Sequence, residues 1–266
     1  MQWGLLGILC IVCAVLCAVG FYKFVYFLSI GYGFAIAGGS IAVLIMVLTR
    51  GWADGVVWLL VLQTLLMIAY GARLSGFLLK REIKSITYKK TLKEEIKADQ
   101  KMPVFVLIAI WLCVAVLYTM QLSPVLYRYA NGAKDWVLPV IGMAVSLFGL
   151  VLEALADRQK SIQKKANPHM VAMEGLYRVV RCPNYLGEIL FWTGVFISGI
   201  TGLATAGQWI LAILAYICIV YIMFNGAQRL EKRQMGRYGN DPVYRTYADH
   251  TPILLPFVPL YHLNHK

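Results

Sequence analysis

Apolar residues fall in long blocks along this chain, and the polar residues collect between the blocks. A run of about 20 apolar residues is what an α-helix needs to cross a bilayer. Seven such runs are expected, at roughly 3–22, 29–49, 53–79, 103–122, 136–156, 186–205 and 208–227. Glycines loosen two of them, at Gly38-Gly39 in the second and at Gly187 in the sixth. A membrane β-barrel would show short alternating segments instead. The fold class is therefore an all-α multi-pass membrane protein, a single integral membrane domain over 1–266.

Charge orients these spans. Cationic residues concentrate in cytoplasmic loops. With the N-terminus outside, the inner segments are 23–28, 80–102, 157–185 and the tail from 228, and 21 of the 25 Lys and Arg fall there. The expectation is seven transmembrane helices with the C-terminus cytoplasmic. The net charge of +12 follows from this asymmetry and suits anionic lipid. No nucleic-acid-reading module accompanies the basic residues, so no nucleic acid partner is expected. Residues 80–102 carry eight Lys and Arg with four acidic residues and read as a solvated inner connector. Composition agrees, with 60% hydrophobic residues and only 14% charged. A soluble domain carries about 25% charged residues. The first run has no basic segment before it, because the first lysine is Lys23, so it is not expected to be a cleaved signal.

Two polar stretches break the apolar pattern. Glu153, Asp157, Lys160 and Lys164 leave the fifth run at spacings of 4, 3 and 4, which sets them on one helical face. They form either a salt-bridge ladder or a polar wall for a ligand. The second stretch, GLYRVVRCPNYLGE, covers Gly175 to Glu188. Arg178 and Arg181 are potential phosphate ligands. Pro183 suits the first turn of a helix. Asn184 and Glu188 follow at i, i+4, near an end where the helix dipole favours anions. In the third run Tyr70 and Arg73 share a face at i, i+3. An arginine within a span either snorkels to the surface or faces a cavity.

The remaining chemistry is sparse. Cys10, Cys13 and Cys17 sit within the first run without His or carboxylate partners, so no metal site is expected. His169, His250, His262 and His265 lie in loops or the tail. Hydrolase chemistry has no support. After the seventh run, Arg229, Glu231, Arg233 and Arg237 extend a charged helix that ends near Tyr238-Gly239. The apolar ILLPFVPLY that follows is expected to lie in the interface or to cap the cytoplasmic mouth.

The stretch GLYRVVRCPNYLGE resembles the signature of the steroid 5α-reductase family and its bacterial relatives. LEALADRQKSIQKK is similar to that family's acidic helix, and RYGNDPVYRTY with TPILLP to the closing motif of its bacterial branch. The three motifs cover about the last 120 residues. LLMIAYGARL resembles the helix carrying the family's catalytic tyrosine. The resemblance implies a seven-helix reductase that uses NADPH to reduce the C=C of an enone, such as a 3-oxo-Δ4 steroid. On that reading 1–102 supplies substrate-side helices and 103–266 the cofactor motifs. Tyr70 would be catalytic, donating to the substrate carbonyl, with Tyr32 also at the substrate. Arg73, Glu153, Asp157, Lys164, Arg178, Asn184, Glu188, Arg229, Glu231 and Arg233 would bind the cofactor. The expected partners are a steroid-like lipophilic substrate and the bilayer. A monomer is expected, with a bacterial inner membrane favoured over the endoplasmic reticulum.

Two departures from the pattern stand out. Cys182 occupies the place of a histidine, and YFLSIGYGFA has no counterpart of the steroid reductases' Gln-Glu pair. Either Tyr70 works with another donor, with Tyr26 and Tyr32 as the nearby substitutes, or the substrate is not a 3-oxo steroid. Two rivals remain open. One is an isoprenylcysteine-type methyltransferase using S-adenosylmethionine, which shares an RHPxYxG element. The other is a sterol- or lipid-binding membrane protein without catalysis.

Overall fold

A computed structural model of the chain describes residues 3–49, 56–84 and 103–264. Most of the expected connector at 80–102 lies outside these residues. The regular elements of the described residues are all helical: α1 Trp3–Cys17, α2 Ile30–Thr49, α3 Val57–Lys84, α4 Val104–Ala130, α5 Val137–Ala166, α6 Pro183–Gly199, α7 Ala206–Tyr238 and α8 Pro242–His250. Single 3₁₀ turns at Ala18–Phe21, Phe24–Leu28, Gly175–Arg178 and Ile200–Gly202 join some of them.

Among the described residues six helices are long and apolar enough to cross a membrane: those of α1 to α5 and α7. The expected sixth run is present as α6, which has 17 residues. That gives about 26 Å of rise, short of a hydrocarbon core of about 30 Å. Four helices outrun the apolar stretch that announced them, α3 reaching Lys84. α4 continues through Pro124 to Ala130, α5 reaches Ala166, and α7 runs 33 residues to Tyr238. The polar ends of α4, α5 and α7 run on to turn signals at Asn131-Gly132, Asn167-Pro168 and Gly239, α4 passing through Pro124 on the way. Gly132 turns with φ +63. α8 starts as its sequence dictates, with Pro242 in the first turn and the Asp241 side chain accepting from Val243 N at 2.8 Å.

The chain forms two compact units. The first comprises 1–143 and 195–215, the second 144–194 and 216–266. In the first unit, α2 and α3 are antiparallel and meet backbone to backbone. A Cβ on Gly33 would stand 2.6 Å from the Gly71 carbonyl, and one on Gly71 would stand 2.7 Å from Ala37 N. Ser75 Oγ crosses the same gap to the Ile30 carbonyl at 2.8 Å. Small residues at a helix crossing are what brings membrane helices close.

The second unit repeats the device. A Cβ on Gly187 of α6 would meet Glu153 N at 2.7 Å and the Gly149 carbonyl of α5 at 2.8 Å. Ser146 Oγ donates across to the Phe191 carbonyl at 2.9 Å. The glycine that loosened the sixth apolar run is thus the one that lets α6 dock on α5.

Candidate functional site

The α5–α6 crossing sets the polar residues of the second unit. Gly187 lies against the backbone and Cβ of Glu153, which packs the start of α6, bearing Glu188, onto α5 where its acidic face begins. Glu153, Asp157 and Glu188 are all buried, at 4%, 9% and 7% exposure. Three carboxylates held out of water at the end of apolar helices require polar company. Asn184, one turn before Glu188, is half-buried. Its Oδ1 is buried and has no hydrogen-bond partner among the described residues. α7 passes close by: a Cβ on Gly226 would touch the Tyr185 ring at 3.4 Å. The exposed Arg229 and Arg233 bring positive charge into the surroundings of Tyr185.

The segment between α5 and α6 is clamped from α5. Gln159 Oε1 accepts from Leu176 N at 2.9 Å, where Gly175 has φ +64. Gln163 Oε1 accepts from Met173 N at 2.9 Å and Glu174 N at 3.0 Å. The glutamines of the RQKSIQKK stretch therefore anchor the loop. Tyr177 is buried with its hydroxyl 3.3 Å from the Ala156 carbonyl, and its own carbonyl accepts from Tyr247 at 2.7 Å. Burial first, then the nearby Asp157 charge, pushes the Tyr177 phenol well up. Cys182 is buried, and desolvation pushes its thiol up to about 11 despite the Lys160 and Arg181 charges, which pull the other way. It is a neutral, packed thiol, where a histidine would have offered a polar ring.

Other expected site residues are placed differently. Lys164 Nζ donates to the carbonyls of Pro168 (3.0 Å) and Met170 (2.6 Å) and to the Tyr238 hydroxyl (3.1 Å). It braces the loop after α5. Glu231 is buried under the C-terminal tail. One oxygen accepts from Arg181 at 2.8 Å and contacts His262 Nδ1 at 2.9 Å. The other accepts from Leu263 N and from the backbone and side-chain nitrogens of Asn264 at 2.8 to 3.1 Å. Arg181 is 3% exposed and also donates to the Tyr261 carbonyl. Arg178 is exposed at the end of its 3₁₀ turn.

In the first unit the tyrosines assemble. Tyr70 is fully buried on α3, and its hydroxyl lies 3.0 Å from that of Tyr32 on α2. Tyr118 of α4 stacks on Tyr32 at 5.0 Å between ring centroids and donates to the Phe27 carbonyl at 2.5 Å. The sequence reading overlooked Tyr118. Its signal was a tyrosine three residues before Gln121 in an otherwise apolar helix. Arg73 is half-buried, 6.0 Å from the centroid of the Phe77 ring. Tyr26 stands elsewhere, bonded to Glu82, which also pairs with Lys23. Among the described residues no group of three His, Cys, Asp or Glu could hold a metal.

Against known proteins, a family model described as "Protein of unknown function (DUF1295)" matches residues 33–251. An uncharacterized protein of Schizosaccharomyces pombe is 30% identical over 45% of this chain and 38% of its own length. The steroid 5-alpha-reductase DET2 of Arabidopsis thaliana is 35% identical over 25% of this chain and 26% of its own length. The chain thus spans well under half the length of the curated relatives it matches. No solved structure matches.

Proposed function

The chain belongs to the DUF1295 family of steroid 5-alpha-reductase-like membrane proteins, and on that premise we propose that it is an NADPH-dependent membrane reductase acting on the C=C of an enone, a 3-oxo-Δ4 steroid being the favoured class. The observation that carries the reading is the set of buried carboxylates Glu153, Asp157 and Glu188 with the buried Oδ1 of Asn184, on the crossing helices α5 and α6.

The donor set fits the cofactor. Carboxylates accept hydrogen bonds from ribose hydroxyls and from an amide. The buried Oδ1 of Asn184, without a partner among the described residues, is suited to accept from the same kind of group. Arg178, Arg229 and Arg233 are exposed cations of the type that binds phosphate. Arg73 is assigned a further cofactor contact. Lys164 and Glu231 are assigned to the same site on resemblance, and in addition they hold the segments around it. When bound, NADPH supplies a hydride for the β-carbon of the enone.

The tyrosine pair supplies the other half of the chemistry. Hydride addition leaves negative charge on the substrate oxygen as an enolate. The two phenols share a hydrogen bond in which either can be the donor. Tyr70, polarised by Tyr32, donates to the carbonyl oxygen and stabilises the charge as it develops. On this assignment Tyr32 takes the place of the missing carboxylate. A substrate of this class reaches the site from lipid, in a bacterial inner membrane.

The test uses the full chain purified in detergent. NADPH should raise its melting temperature, S-adenosylhomocysteine should not, and a 3-oxo-Δ4 steroid should drive NADPH consumption. Stabilisation by S-adenosylhomocysteine alone would transfer the site to methyl-transfer chemistry. Tight NADPH binding without turnover on any enone would remove the reaction.

A further inference from the structure

Two glutamines in the first unit are buried with both amide atoms lacking a hydrogen-bond partner among the described residues. Gln63 on α3 is 4% exposed and Gln121 on α4 is 2% exposed. Such an amide is costly inside protein, and lipid offers nothing to satisfy it.

Their positions relate them to the tyrosines. Gln63 precedes Tyr70 by seven residues, which is two turns along the same face of α3, about 10 Å. Gln121 lies one turn beyond Tyr118 on α4, and Tyr118 stacks on Tyr32. Leu122, its neighbour, packs where a Cβ on Gly39 would sit, two turns beyond Tyr32 on α2. Because α2 and α3 are antiparallel, with Gly33 at Gly71 and Ile30 at Ser75, that level of α2 faces the part of α3 before Tyr70. Gln121 therefore lies on the Gln63 side of the tyrosines. Ser40 Oγ, also buried and without a partner among the described residues, belongs to the same level.

We propose that Gln63 and Gln121 form a second polar station, taking a hydroxyl or carbonyl oxygen at the far end of an elongated lipophilic ligand whose enone carbonyl meets Tyr70. The proposal rests on the reductase reading for the identity of that ligand. It narrows the substrate class to molecules with oxygens at both ends of a long apolar body. The separation of the two stations along α3 is comparable to the long axis of a tetracyclic steroid.

The experiment measures equilibrium binding of two 3-oxo-Δ4 steroids to the detergent-purified full chain. One carries an oxygen on the ring farthest from the enone and the other has hydrogen there. The oxygen-bearing ligand should bind about tenfold tighter or better, since a site built to bond an oxygen rejects the analogue without it. Gln63→Met and Gln121→Met keep side-chain length and remove the amide, and each should bring the ratio towards one. A ratio near one in the unaltered chain, which needs no variant to read, would overturn the proposal. So would a ratio that both variants leave intact, the outcome expected if the amides merely hold a buried water. Discrimination in binding without NADPH-dependent turnover would sink the reductase reading and leave the station standing. Turnover without discrimination would do the reverse, and binding of neither steroid would remove both.

Discussion

The hydroxyl of Tyr70 is 3.0 Å from that of Tyr32, in a fully buried position between α2 and α3. Neither phenol can be altered without changing what the other offers. Tyr70→Phe should lower turnover about 10²-fold, the scale for one donor aimed at a developing oxyanion, and leave NADPH affinity close to normal. Tyr32→Phe should cost less if it only polarises Tyr70. Equal losses, with no further loss in the double variant, would show that the pair acts as a unit. Steady-state kinetics with NADPH titrations decide this, and unchanged turnover in Tyr70→Phe would end its catalytic assignment.

The second unit separates residues that the sequence groups together. Asn184 carries a buried acceptor with no partner among the described residues, whereas Lys164 spends its ammonium on two carbonyls and the Tyr238 hydroxyl. Asn184→Ala should weaken NADPH binding by about tenfold with little change in melting temperature in its absence. Lys164→Ala should lower that melting temperature first, because three acceptors are released at the loop. Thermal unfolding with and without NADPH reads both quantities. A Lys164 variant that loses cofactor and keeps its stability would return that lysine to the binding set.

These contrasts mark how far the sequence reached. Helix boundaries were legible where a turn-forming residue marks them, the start at Pro183 and the stop at Tyr238-Gly239. The face bearing Glu153 and Asp157 was legible because helical periodicity is local. The roles of Gln159, Gln163 and Glu231 were not, because each bonds backbone atoms that a loop or tail delivers from elsewhere. Tyr118 escaped for the same reason, since its meaning depends on Tyr32 from another helix. The charged continuations of α5 and α7 were legible, whereas the extension of α4 to Ala130 was not, because an apolar run marks where lipid ends, not where the helix does.

The α5–α6 crossing gives a stability test that needs no ligand. A methyl on Gly187 would press on Glu153 N and the Gly149 carbonyl, both backbone atoms that cannot rotate away. Gly187→Ala should cost about 1–3 kcal/mol. Gly236→Ala, also within a helix, meets nothing within 4 Å. It should gain about 0.5–1 kcal/mol from helix propensity. Melting temperatures moving in opposite directions would support the crossing, and a neutral Gly187→Ala would show that the helices are not in backbone contact.

Alkaline pH should loosen the contact between Lys23, Tyr26 and Glu82. Burial, the largest effect on Lys23, lowers its pKa, but the bonds to Glu82 and Tyr26 outweigh it and the net shift is upward. Burial and then Glu82 push the Tyr26 phenol up as well. Both groups hold their proton more tightly folded than unfolded. Their contribution is therefore fully present below about pH 10, the ordinary range for both, and is lost as pH rises through the raised values. The unaltered chain should lose more melting temperature between about pH 9 and pH 11 than Lys23→Met. Parallel curves would show that the contact carries no linkage.

Glu231 and Cys182 together report on the C-terminal tail. Glu231 holds Arg181, His262, Leu263 and Asn264, while the backbone nitrogens of Arg181 and Cys182 donate to the Pro252 and Ile253 carbonyls at 2.8 and 2.9 Å. With the tail in place, the Cys182 thiol is buried and pushed up to about 11. It should resist N-ethylmaleimide at pH 7.5, because the thiolate is the reactive form. Glu231→Ala leaves Arg181 as a buried charge without its carboxylate, a loss of about 3–5 kcal/mol. The local response is release of the tail. Mass spectrometry of the Cys182 peptide should then show alkylation at a temperature where the unaltered chain shows none. Protection of Cys182 in the Glu231→Ala chain would mean that the tail is held without Glu231, by its remaining hydrogen bonds and apolar contacts.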